Sequence, residues 1–151
     1  LDIVKEQLLE RPVLFLSPYF KRHQWVYYER LDAYHRGNVE EWMAFFLDGV
    51  KETATEAIET VEKIVQLRNR DTLRIQSLSR RASESATEVL PRLYKTPIVD
   101  VEKIQEWTGF TRAGAQTVIN RFVELGILYD RDPQSTYDKT YMYKDYVDIF
   151  R

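Results

Sequence analysis

Apolar positions along the chain fall mostly at helical spacing. Leu1 to Glu10 carries Ile3, Val4, Leu8 and Leu9 on an amphipathic stretch that predicts the tail of a helix, stopped at Arg11-Pro12 because proline disfavours helix in the residue before it. Val13-Leu14-Phe15-Leu16 is too apolar for a solvated loop and too short for a helix. Ser17 as N-cap with Pro18 at the first helical position predicts a helix start. Phe20, Tyr27, Leu31 and Tyr34 lie near one face of that helix, and Gly37 suits a left-handed C-terminal cap. Asn38 and Glu41 have capping-box spacing, and Trp42, Phe45, Phe46, Gly49, Thr53, Ala57, Val61, Ile64 and Val65 follow at helical period, which predicts one long helix. Glycine at 49 weakens a helix by about 1 kcal/mol against alanine, so a close helix crossing is expected there. A further helix is expected from about Ala82 to Tyr94, kinked or irregular in its last turn at Pro91, with a boundary at Thr96-Pro97.

Beyond that boundary the pattern shortens. Asp100 can cap a helix over Val101–Trp107 that stops at Thr108-Gly109. Thr111 can cap a second, whose apolar positions are Ala115, Val118, Ile119, Phe122 and Leu125. Two helices meeting across a three- or four-residue turn that contains Gly make the helix-turn-helix pattern. After Gly126, Ile127-Leu128-Tyr129 and Lys139–Tyr143 bracket the polar stretch Asp130 to Asp138, with Pro133 and Ser135 inside it; this predicts a hairpin, the wing. Phe122-Val-Glu-Leu-Gly-Ile-Leu resembles the "ELGIL" end of recognition helices in winged-helix proteins. The expected fold is mainly α: a helical segment over residues 1–95 followed by a winged helix-turn-helix with a small β-hairpin over 96–151.

Charge decides how that module could be used. On a DNA-binding reading Arg112, Gln116, Thr117, Asn120 and Arg121 project from the second helix, with Arg131 and Lys139 on the wing contacting phosphate. Residues 97–151 hold seven Lys/Arg against nine Asp/Glu, and Asp130, Asp132 and Asp138 on the wing would face phosphates. Counterion release needs several unopposed cations, so this acidic wing disfavours DNA. The formal net charge of −2 adds no global basic field. The one basic stretch runs from Arg68 to Arg81, where Arg68, Arg70, Arg74, Arg80 and Arg81 face the lone acid Asp71. A solvated helical connector laced with salt bridges is expected there, with Glu84 and Glu88 in reach of Arg80 and Arg81.

Absence of cysteine excludes a disulfide framework and thiolate zinc fingers and favours a reducing compartment. No run approaches the roughly 18 apolar residues of a membrane span, so a cytoplasmic protein without a membrane partner is expected. The only histidines, His23 and His35, read as surface or helix-packing residues, since no metal-binding or nucleophilic partner accompanies either. Glu40-Glu41 suit the positive end of a helix, and the Trp42, Phe45, Phe46 stripe reads as core. No catalytic residue is identified.

Leu8-Leu9-Glu10-Arg11-Pro12-Val13-Leu14-Phe15-Leu16-Ser17-Pro18-Tyr19-Phe20 resembles the segment that follows the catalytic helix in Fic-family proteins, where "LL..P.LYLS.YF" is typical. Tyr27-Tyr28-Glu29-Arg30-Leu31, Gly37-Asn38-Val39-Glu40-Glu41-Trp42 and Phe45-Phe46-Leu47-Asp48-Gly49-Val50 are similar to the family's "YYDRL...GDWE.W..FFL..V" stretch. Many Fic proteins also carry a C-terminal winged helix, so the resemblance spans essentially the whole chain. It implies a parent that transfers AMP from ATP to a Ser, Thr or Tyr hydroxyl of a target protein, with magnesium. The family signature HPFxxGNGRxxR is absent; the nearest run, His35-Arg36-Gly37-Asn38, has the wrong spacing. By this register Leu1 lies just past the point where the signature would finish, and the chain is expected to be a piece of a longer protein. The family's inhibitory motif is met only in part, at Thr55 to Glu59, where Thr60 follows in place of Gly or Asn.

What the resemblance implies for this chain is a non-catalytic, C-terminal regulatory or target-recognition part that holds no ATP or magnesium itself and whose partners are a target protein or the Fic core that would precede it. Two alternatives stand beside it: a winged-helix DNA-binding transcriptional regulator, and a self-associating chain whose apolar Leu1 to Leu16 segment draws copies into a homodimer.

Overall fold

The computed structural model describes residues 15–135 and 137–151. The expectations for Leu1 to Glu10 and for the start of the Val13–Leu16 run lie outside the described residues. The chain divides into two compact units between Val61 and Glu62.

The first unit contains α1 (Ser17–Arg22), α2 (Gln24–His35) and the beginning of α3 (Val39–Gln76). The single helix expected from Ser17 to Arg36 is therefore two. His23 leaves helical geometry at φ −107°, ψ 33°, and its ring rests 4.6 Å from that of Tyr19. Nor does Ser17 cap α1: Leu16 takes that position in helical conformation, its carbonyl accepting from the Phe20 N–H, and Ser17 is already inside. Gly37 ends α2 with φ 95°, and Asn38 and Glu41 form the expected box in altered form. The Asn38 side-chain carbonyl accepts from the Glu41 N–H at 3.4 Å, while its amide donates to the Glu41 carboxylate at 2.6 Å.

Tyr19 and Phe45 are buried here, flanked by the rings of Phe20, Tyr27 and Trp42. Gly49 explains how α1 lies so close to α3. A Cβ at that position would stand 2.7 Å from two carbons of the Tyr19 ring, so the bare backbone is what admits the crossing.

The second unit takes the end of α3 and adds α4 (Arg80–Leu93), β1 (Ile98–Val99), α5 (Val101–Thr108), α6 (Arg112–Glu124), β2 (Tyr129–Asp130), β3 (Tyr141–Met142) and α7 (Lys144–Asp148). The protein is mainly α with one small antiparallel sheet of order β1-β3-β2, in which Tyr141 faces Val99 on one side and Asp130 on the other. Asp100 caps α5 by accepting from the Lys103 N–H at 2.7 Å, Gly109 closes it at φ 68°, and Thr111 caps α6 through the Gly114 N–H at 3.2 Å. α4 runs through Pro91, whose missing donor falls in the last turn, where few residues of helix remain to be disturbed.

Both hairpin strands are shorter than the sequence predicts. Gly126 (φ 65°) turns the chain so that the N–H groups of Ile127 and Leu128 both bond the Phe122 carbonyl; these two side chains fill the core as a tight turn instead of a strand. β1 and α7 are additions to the expected elements. One core unites Leu67 and Ile75 of α3, Val89 and Leu93 of α4, and Val99, Ile104, Ile119, Phe122, Ile127 and Tyr143. The boundary expected between residues 95 and 96 falls inside this unit.

Asp71 on α3 is the one buried charged side chain among the described residues. It accepts from Arg70 Nε at 2.8 Å and Arg74 Nη1 at 3.4 Å, and its second oxygen accepts from the Tyr143 hydroxyl. Arg70 continues to Asp145 on α7 at 2.7 Å, and Arg74 to the Gly126 carbonyl. These bonds tie α3 to the hairpin and to α7. The hydrogen bond to Asp71, then that to Asp145, outweigh burial and raise the Arg70 pKa, while burial first and the Asp71 bond second push the Tyr143 hydroxyl far up.

Candidate recognition face

α6 presents the residues that sequence reasoning singled out, because Ala115, Val118, Ile119 and Phe122 turn its apolar stripe into the core and leave the intervening positions outside. Those outward residues do not form one surface. Arg112 and Gln116 line a groove of about 570 Å³ that the hairpin closes with Asp138, Lys139 and Thr140 and the start of α5 closes with Asp100 and Glu102. The Gln116 amide donates to Asn120 Oδ1 at 2.9 Å and stands 3.4 Å from the Tyr141 hydroxyl, which orders this stripe. Thr117 and Arg121 belong to a second groove, of about 560 Å³, completed by Ser79, Arg81 and Ser85 of the α4 start and by Phe110 in the turn.

The two grooves differ in charge. Three carboxylates stand beside Arg112 and Lys139 on the hairpin side, whereas the α4 side holds Arg81 and Arg121 and no carboxylate. Lys139 is further compensated. Its ammonium lies 2.6 Å from Asp130, a bond that raises the lysine and lowers the carboxyl, so both stay ionised and cancel locally. Arg131 is exposed, its backbone N–H bonded to the Thr140 carbonyl, and lines neither groove.

No protein-family model matches the chain.

Elsewhere, Arg80 pairs with Glu84 as expected, but Glu88 pairs with Arg92, and Arg92 also donates to the Trp107 carbonyl at the end of α5. Arg81, expected with Arg80 to pair with these acids, lines the second groove instead. Sequence reasoning missed both Arg81 as a groove residue and the buried Asp71. The signal for Asp71 was present in its isolation among arginines at helical spacing. Among the described residues no three His, Cys, Asp or Glu side chains converge to hold a metal ion.

Proposed function

We propose that the chain is the non-catalytic target-recognition part of a Fic-family protein adenylyltransferase, whose AMP-transferring core lies elsewhere in the parent protein. The observation that carries this reading is the run of similar residues at 8–20, 27–31 and 37–50. Tyr19, Phe20, Trp42 and Phe45, all within that run, pack on one another, while Trp25, Tyr28, Met43 and Leu47 beside them are exposed. Apolar surface of that kind marks a partner's footprint. From α4 to β3 the second unit runs helix, strand, helix, helix, strand, strand, an order that supports reading it as a winged helix that docks protein. A chain without cysteine suits the cytoplasm. No helix of the described residues is long and apolar enough to cross a membrane.

The test is intact-mass analysis and N-terminal sequencing of the protein purified from its source. A longer parent with HPFxxGNGRxxR just upstream of Leu1 supports the reading; Leu1 as the natural start removes it. A DNA-binding regulator is the alternative, favoured by the ordered Gln116–Asn120 pair on α6 and opposed by the neutralised Lys139 and the wing carboxylates. Selection from a random duplex pool separates the two, since a regulator enriches a defined site.

A further inference from the structure

We infer that the groove between the start of α4 and the outer face of α6 is a docking site for an acidic peptide segment of a partner protein. This rests on the reading of the second unit as a protein-docking module, and it does not depend on Fic parentage.

Arg81 and Arg121 enter the groove from two different helices, among the hydroxyls of Ser79, Ser85 and Thr117. Among the described residues neither arginine has an ion pair or a side-chain hydrogen bond. Their neighbours differ: Arg80 is held by Glu84, Arg92 by Glu88, and Arg70 and Arg74 by Asp71. The position of Arg81 sharpens the contrast. It lies in the first turn of α4, a turn that carries no acid and whose Ser79 makes no side-chain cap. Helix N-termini carry partial positive charge and favour acids, so an arginine in a first turn without one adds to that field. A partner carboxylate entering the groove would meet guanidinium donors from both sides and accept charge-assisted hydrogen bonds from each. Phe110, 41 % exposed, gives the groove an apolar wall for the residue next to that acid.

Phosphates of a duplex would satisfy the same donors, yet a duplex laid across α6 also covers the wing side, where Asp100, Glu102 and Asp138 line the groove. Several phosphate contacts would then be opposed by like charge. A peptide of a few residues fits within about 560 Å³ and stays clear of those carboxylates. Local charge complementarity without a broad basic field is the pattern of a short acidic segment.

The experiment titrates a fluorescein-labelled hexaglutamate peptide with the full chain and follows fluorescence anisotropy at rising salt. Saturable binding that weakens with salt is expected, falling about tenfold or more in the R81E/R121E double variant, a loss typical of an interface anchor. A charge-matched double variant away from the groove, R36E/K63E, should keep the native affinity. Circular dichroism checks that R81E/R121E folds; if it does not, the neutral R81Q/R121Q pair carries the same comparison. The proposal is overturned if the native chain leaves the peptide free, if R36E/K63E loses as much as R81E/R121E, or if a labelled random-sequence duplex outcompetes the peptide and loses binding in R81E/R121E. None of these outcomes touches the search for an upstream HPFxxGNGRxxR, so failure of the groove and failure of the Fic reading are told apart.

Discussion

Phe122, Tyr143, Ile104 and Ile119 of the second unit are closed off from solvent, in one cluster with side chains from α3, α4, β1 and the hairpin turn. Among the described residues of the first unit Tyr19 and Phe45 are the only buried large side chains, α2 buries none, and Trp25 is 83 % exposed. Both regions are rich in aromatic and aliphatic side chains. What separates them is layering: a helix buries its apolar stripe only where a second layer covers it, and the second unit supplies helices and a sheet that enclose α6. Composition sets how much surface could be buried, and topology sets how much is.

Matched truncations expose this difference most directly. Phe122→Ala should destabilise the second unit by about 3–5 kcal/mol, because its cavity is walled on every side and cannot collapse. Phe45→Ala, in a shallower aromatic stack, should cost about half as much. Hydrogen exchange by mass spectrometry reads each unit from its own amides. Equal losses at the two positions would show that the first unit encloses its core as fully as the second.

Asp71→Ala comes next. It removes the acceptor of Arg70, Arg74 and the Tyr143 hydroxyl, leaving that buried hydroxyl only the long contact to the Tyr94 hydroxyl at 3.4 Å. Because both arginines are partly exposed and can turn to water, the expected loss is about 3 kcal/mol, the low end for a broken buried pair. Faster exchange should be confined to residues 62–151.

Titration of Tyr143 gives a third, smaller effect. Burial and the bond to Asp71 raise this hydroxyl above its ordinary value, so above about pH 10 the unfolded chain releases a proton that the folded chain keeps. The stability it contributes is intact below that pH and falls by about 1.4 kcal/mol per pH unit above it. Tyr143→Phe should be less stable than the native chain at neutral pH, since Asp71 loses a donor, and the gap should narrow between pH 10 and 11 in urea unfolding. A gap that stays constant would mean that Tyr143 ionises as freely in the folded chain as in the unfolded one.

The sequence was most legible where a local rule decides the outcome. Asp100, Thr111 and Gly109 act as caps because each needs only its own next turn, and the α6 stripe buries the apolar residues that its period selects. Legibility failed where the deciding partner is distant. β1 is two residues long, too short for alternation, and exists because β3 pairs with it from more than forty positions away. His23 parts α1 from α2, against the single helix that the Ser17-Pro18 signal predicts. At the candidate face the residue types on α6 were readable, but their division between two grooves was not, since Arg81 arrives from α4 and Lys139 is held by Asp130 across the hairpin.

Gly49→Ala sets local propensity against a distant contact inside the less enclosed unit. Alanine favours the helix by about 1 kcal/mol, yet its Cβ would stand 2.7 Å from the Tyr19 ring, and overpacking of that kind costs about 1–3 kcal/mol. α1 is only six residues long, so the ring can retreat by shifting the helix that carries it, and the expected net loss is about 1 kcal/mol. Exchange should quicken in α1 while residues 62–151 keep their protection. A stabilised variant would mean that the ring retreats freely, and the gap in enclosure between the two units would then be wider than their burial alone indicates.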